Sequence, residues 1–220
     1  MLVLLIIPSY GGKLKRIERQ IHHYGSGLNS QVLLSAYRDD PSDSYLLRTG
    51  YGGSSGPLSN INQEGFPSAA FHSFPNTLQW DGITGDYGPG FLGMALNSGT
   101  YVDDDPDLGL VAYGGILTQS SGTVTVQTKD AVQRRVFIGP LGVMITVDAG
   151  AISQFSYTSS GSVSITLAQQ SGSPVAVQAA VWVESADTWN VTTSGVSTGR
   201  GGWIIPLAAT GTKVITIAQS

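Results

Sequence analysis

Apolar residues along this chain recur in two different rhythms. From Gly12 to about Tyr101 the spacing is helical. Leu14, Ile17, Ile21 and Tyr24 fall at three- and four-residue intervals, predicting an amphipathic helix that stops at Gly25-Ser26-Gly27. Asn29 or Ser30 can cap a second helix carrying Val32, Leu33, Ala36 and Tyr37, closed by Asp39-Asp40-Pro41 because proline disfavours continuation. Ser42 is expected to start a third helix ending at Gly50, and Phe91–Tyr101 reads as a further one. Beyond Asp107 the pattern becomes two-residue alternation. Strands are predicted at Thr123–Gln127, Val136–Ile138, Gly142–Val147, Ser162–Leu167, Val175–Val183 and Lys213–Ala218, with shorter ones at Val191–Thr193 and Trp203–Ile205. Glycine, serine and proline punctuate them at intervals that suit an antiparallel sandwich.

The expected fold class is therefore α+β: a short N-terminal helical segment followed by an antiparallel β-sandwich. The boundary falls between Asp103 and Gly115, giving a helical segment over 1–104 with long Gly/Pro-rich loops (52–56 and 76–90) and a sandwich over 105–220. So few helices bury their apolar faces poorly unaided. They pack on the sandwich, or they belong to a larger helical array supplied by further sequence or other copies. Met1–Pro8 is apolar but too short to span a membrane and lacks the basic start and small-residue cleavage site of a signal peptide. A buried strand or the tail of a core helix is the better reading of it.

Composition narrows the function. In 220 residues only 12% are charged and the net charge is −4, so a nucleic-acid partner, which requires a basic footprint, is not expected. Abundant Gly, Ser and Thr suit a secreted or extracellular surface. No cysteine is present, which removes disulfides and thiolate zinc sites. Asn190-Val191-Thr192 is a glycosylation sequon of small weight.

The candidate chemistry concentrates between Leu46 and Gly115. Glu64, His72, Trp80, Asp81, Asp86 and Tyr87 lie there among glycines and prolines. Carboxylates beside aromatic rings suit a site that grips and protonates a sugar, since glycoside hydrolysis commonly uses two carboxyl groups. Asp81, Asp86 and Glu64 are the acid/base candidates, and Trp80, Tyr87, His72, Tyr51 and His23 the substrate-positioning ones. The competing account has Asp81 and Asp86 closing Asx-turns in a Gly-rich loop. His22 and His23 point roughly 100° apart on one helix, so at most one faces a given site. No metal and no cofactor are expected. The acidic run Asp103-Asp104-Asp105-Pro106-Asp107 reads as a solvated linker, or as oxygen ligands for calcium without helix–loop–helix spacing. The glycine runs 51–56 and 199–202 contain no GxxxxGK[ST] loop, and no GxSxG elbow exists. In the sandwich, Trp182 reads as core, while Trp189 and Trp203, near turns, are the better candidates for exposure.

The elements LLRTGYGG (46–53), GFPSAAFHS (65–73) and WDGITGDYGPG (80–90) carry a resemblance. The stretch from about Lys13 to Gly115 resembles the late part of a family of fungal and bacterial carbohydrate-active proteins similar to six-hairpin glycosidases, with paired helices in a toroid followed by β-structure. The resemblance implies a carbohydrate context, with a polysaccharide or oligosaccharide as partner. A full toroid needs several times the helices found here, so the chain corresponds to a C-terminal portion or a shortened descendant. Two readings follow: a portion of a glycoside hydrolase-like or polysaccharide lyase-like enzyme, or a non-catalytic extracellular protein whose sandwich packs into oligomers or filaments. A sugar-binding module without catalysis is a third.

Overall fold

A computed structural model describes residues 23–54, 99–130, 132–170 and 174–220, and the chain divides into two compact units, Met1–Ser98 and Gly99–Ser220. Met1–Pro8 lies outside the described residues. The class is α+β.

In the first unit, helix α1 (His23–Asp39) runs unbroken through Gly25, Gly27 and Asn29, where the sequence predicts a stop and a restart. Two glycines cost about 1 kcal/mol each in a helix interior. Burial of the Ser30, Leu34 and Tyr37 face outweighs that cost. Val32, expected on the apolar face, is exposed instead. Asp40 accepts from the Ser42 hydroxyl at 2.6 Å and from its amide at 3.2 Å, bonds that hold the Asp40 carboxyl below its ordinary pKa. Helix α2 (Ser44–Ser54) is capped by Asp43, whose Oδ1 accepts from the amides of Tyr45 and Leu46, so the cap is Asp43 rather than Ser42. It also continues past Gly50 through Gly52 and Gly53, part of the predicted loop. Gly50 is where α2 approaches α1: a Cβ there would lie 3.1 Å from Leu33 Cβ and from two Leu34 atoms.

The second unit is a sandwich of thirteen strands. They are β1 (Thr100–Asp105), β2 (Gly109–Tyr113), β3 (Gly115–Ser120), β4 (Thr123–Thr128), β5 (Arg135–Ile138), β6 (Val143–Val147) and β7 (Ala151–Thr158). There follow β8 (Ser162–Ala168), β9 (Gln178–Glu184), β10 (Trp189–Val191), β11 (Ser197–Gly199), β12 (Gly202–Pro206) and β13 (Thr212–Gln219). One sheet has the order β11-β12-β9-β6-β5-β1-β2 and the other β10-β13-β8-β7-β4-β3. All pairings are antiparallel except β1 with β5. Alternate residues of both sheets meet in a core that includes Val136, Ile145, Val181 and Ile205 from the first and Val126, Phe155, Ile165 and Ile217 from the second.

The acidic run belongs to this unit. Asp103 and Asp105 are buried within β1 while Asp104 is exposed, and Asp105 Oδ1 accepts from the amides of Asp107 (2.8 Å) and Leu108 (2.9 Å) to close the turn into β2. A strand and an Asx-turn thus stand where the sequence suggests a linker, and the C-terminal end of the predicted helix 91–101 is strand. The residues before Gly99 in that prediction lie outside the described ones. The sheets are also joined through Gln133, by its side chain on one side and its main-chain carbonyl on the other. Gln133 Nε2 donates to Thr100 Oγ1 (3.1 Å) and Asp130 Oδ2 (3.2 Å), its Oε1 accepts from the amides of Arg134 and Arg135, and its carbonyl accepts from Ile152 N–H at 2.7 Å. Thr100 lies in one sheet and Ile152 in the other.

Tyr157 is buried on β7, and its hydroxyl has no hydrogen-bond partner among the described residues. Burial, and then the Asp104 carboxylate, push its pKa up to about 12 from an ordinary 10.0. Because the folded value exceeds the unfolded one, the stability involved is fully present below pH 10 and is lost as pH rises toward 12. Tyr157→Phe is therefore expected to be neutral or mildly stabilising at pH 7. It should also flatten the alkaline loss by at most about 3 kcal/mol, as read by urea unfolding at a series of pH values.

Candidate functional site

The glycine run Gly199-Arg200-Gly201-Gly202 forms a hairpin. Gly199 pairs with Gly202 across a two-residue loop in which Arg200 (φ 54) and Gly201 (φ 73) are both left-handed, as a type I′ turn requires. Holding arginine there costs about 1 kcal/mol, and two contacts of the loop, with a third that fixes Asp148, offset it. Arg200 O accepts from Trp182 Nε1 at 3.0 Å, Arg200 Nη1 donates to Asp148 Oδ2 at 2.9 Å, and Asp148 Oδ1 accepts from Ala180 N–H at 2.7 Å. The Trp182 indole lies over Gly202, where an added Cβ would meet its Cδ1 at 3.0 Å. Phosphate binding, rejected from the sequence, is thus replaced by a concrete structural role for these glycines.

On the other side of β12, Trp203 pairs with Val181 and packs partly against the core. It walls an open groove of about 490 Å³ that is also lined by Asn190, Thr198, Gly199, Gly201 and Gly202. The groove lies where β10, the edge of one sheet, approaches β11, the edge of the other. Its lining offers an indole, a hydroxyl, an amide and glycine backbone, with no charged side chain. Asn190 Nδ2 is oriented by a bond to Ser220 Oγ. A flat ring with hydroxyls around its rim is the kind of neutral ligand that such a surface can stack and hydrogen-bond.

The tryptophans sort differently from the sequence expectation. Trp189, expected to be exposed, is buried in the core, and Trp182, expected in the core, is half-buried on the opposite face of its sheet. Trp203 keeps an accessible face. Asn190 and Thr198 escaped notice as groove residues, because only the pairings β10 with β13 and β11 with β12 carry them there.

Of the residues proposed from sequence, Glu64, His72, Trp80, Asp81, Asp86 and Tyr87 lie outside the described residues. Tyr51 is half-buried on α2, where its carbonyl accepts from Ser54 Oγ at 2.7 Å, and His23 opens the described part of α1. Among the described residues no group of His, Asp and Glu is arranged to hold a metal, and no helix is long and apolar enough to cross a membrane.

No curated protein and no solved structure matches the chain. The sequence profile of DUF5695, a family of unknown function, matches residues 8–215. The match spans both compact units, and the chain belongs to the DUF5695 family.

Proposed function

We propose that this chain is a carbohydrate-active, extracellular protein, a portion of a glycoside hydrolase-like or polysaccharide lyase-like protein acting on a polysaccharide. The observation that supports this reading is the uncharged groove beside Trp203, with Asn190 and Thr198 placed to hydrogen-bond a ring stacked on the indole. In this reading the sandwich holds the polysaccharide. Asp81 and Asp86, with Glu64 as a third carboxyl group, supply acid and base, and Trp80, Tyr87, His72, Tyr51 and His23 position the sugar.

Affinity electrophoresis against a panel of soluble polysaccharides tests it. At least one should retard the protein, and Trp203→Ala should weaken that binding about tenfold, since stacking on an aromatic face contributes about 1 kcal/mol or more. Asp81→Asn and Asp86→Asn should leave retardation intact and remove turnover. If no polysaccharide binds, or if a folded Trp203→Ala protein binds as well as the parent, the groove is not a sugar site. The assembly reading is favoured by a separate feature, the bare and uncharged edge of the six-stranded sheet.

A further inference from the structure

A sandwich has four edges, and this one protects them unequally. The edge strands β10 and β11 are only three residues long, which leaves little ladder for another chain to join. At the opposite side of the two sheets lie β2 and β3, five and six residues long and consecutive in sequence through Gly114. From Leu108 to Thr128 the chain contains no charged residue, no histidine and no proline. β3 pairs with β4 without a register shift, so no bulge twists it away. Its outer-facing residues are open to solvent: Ile116 is 56% exposed, and Thr118 and Ser120 are exposed as well. Charge, proline and bulge, three devices that usually blunt a long edge strand, are missing from β3.

We propose that β3 is a dimerisation edge, at which a second copy of this chain adds its own β3 antiparallel and continues the six-stranded sheet across a two-fold axis. Hydrogen bonding fixes the occupant as an extended strand, because the unpaired donors and acceptors of an edge match nothing else so fully. The neutrality of the strand favours an identical partner. A charged strand paired with its own copy opposes like charges, whereas GILTQS opposes only apolar and hydroxyl or amide side chains. Antiparallel pairing of identical strands is reciprocal, so the contact closes at two copies. On the outer face, Ile116 and Thr118 would continue the uncharged rows that already cross the sheet as Gln127 and Gln154, and as Thr125, Ser156, Ser164 and Thr216. One six-residue strand pair is small beside the roughly 1,200 Å² of a stable interface, so the dimer is weak and forms only at high concentration. This inference is independent of the saccharide reading.

Light scattering coupled to size exclusion, run on the full chain from about 1 μM to about 1 mM, should show the mass rising from one copy to two. Ile116→Lys places like charges near the axis at an already exposed position, so it should remain monomeric throughout with an unchanged melting temperature. Val214→Lys adds the same charge to the same sheet at a 52% exposed site on β13, far from β3, and should dimerise like the parent. A parent that stays monomeric overturns the proposal. So does an Ile116→Lys protein that still dimerises, loss of dimer in both variants alike, or an assembly that grows beyond two copies.

Discussion

Gln133→Ala is expected to lower the free energy of unfolding by about 3 kcal/mol. The side chain is 2% exposed and uses both ends of its amide. Its removal leaves the amides of Arg134 and Arg135 without their acceptor, deprives Thr100 and Asp130 of a donor, and opens a void between the sheets. Urea unfolding followed by circular dichroism reads the loss as a lower midpoint at an unchanged slope. Gln133→Glu separates bonding from packing, because it fills the same volume but turns a carboxylate toward Asp130 Oδ2. Burial and the like charge raise the introduced carboxyl's pKa above its unfolded value of about 4.3. Its deficit relative to the parent is therefore least near pH 4 and grows as pH rises toward 7. A Gln133→Ala protein within 1 kcal/mol of the parent, roughly the net worth of one hydrogen bond, would show that the side-chain bonds to Thr100, Asp130 and the following amides add little.

Gly202→Ala should cost about 2–3 kcal/mol and displace Trp182. The added Cβ would lie 2.4 Å from the Val181 carbonyl oxygen, a backbone atom of the paired strand, so β12 must move relative to β9. The same atom pushes against the Trp182 ring, and the Nε1 bond to Arg200 lengthens or breaks. Tryptophan emission should shift to the red as the indole enters water. Gly201→Ala is the comparison. It meets open space, and its cost is the left-handed backbone alone, about 1 kcal/mol. Equal melting temperatures for the two variants would mean that the close approach of β12 to β9 is slack.

Much of the sandwich is legible in the sequence, and the gaps have physical causes. β4, β8 and β13 show plain alternation because one face of each is core and the other is more open, while β6 is apolar enough on both faces to be read as a buried strand. β7 is missed because a bulge between Ile152 and Gln154 breaks its period, so that Ile152 and Phe155 both face the core. β1 is hidden by its three aspartates, two of which are nevertheless buried. β2 and β3, as edges, have no fully buried face to write a pattern. The expected strand at Val175–Val183 begins only at Gln178, for Val175 and Val177 are exposed, and the carbonyls of Ala176 and Val177 accept from Gln169 Nε2 and from the Leu207 amide. At the groove, Trp203 was identifiable from its place beside a turn. The partners that make it a site come from strands distant in sequence, and no local pattern encodes that juxtaposition.

The parallel pairing of β1 with β5 has a consequence for how the protein reaches its native state. Thr100 opposes Val136, Thr146 opposes Trp182, and Lys213 opposes Leu167, so the central ladders of both sheets join residues far apart along the chain. Contacts of that kind demand loop closure before they return any energy, and they place the sandwich among domains that fold in milliseconds to seconds. During synthesis the β1–β2 and β3–β4 hairpins are expected to form first, by local contacts, while β1 waits for β5 and β4 for β7. For that interval the uncharged strand β4 and the acidic strand β1 stand open on a chain that is still growing. Prompt docking of β7 on β4 and of β5 on β1 is expected to shorten that exposure and, with it, the chance of aggregation.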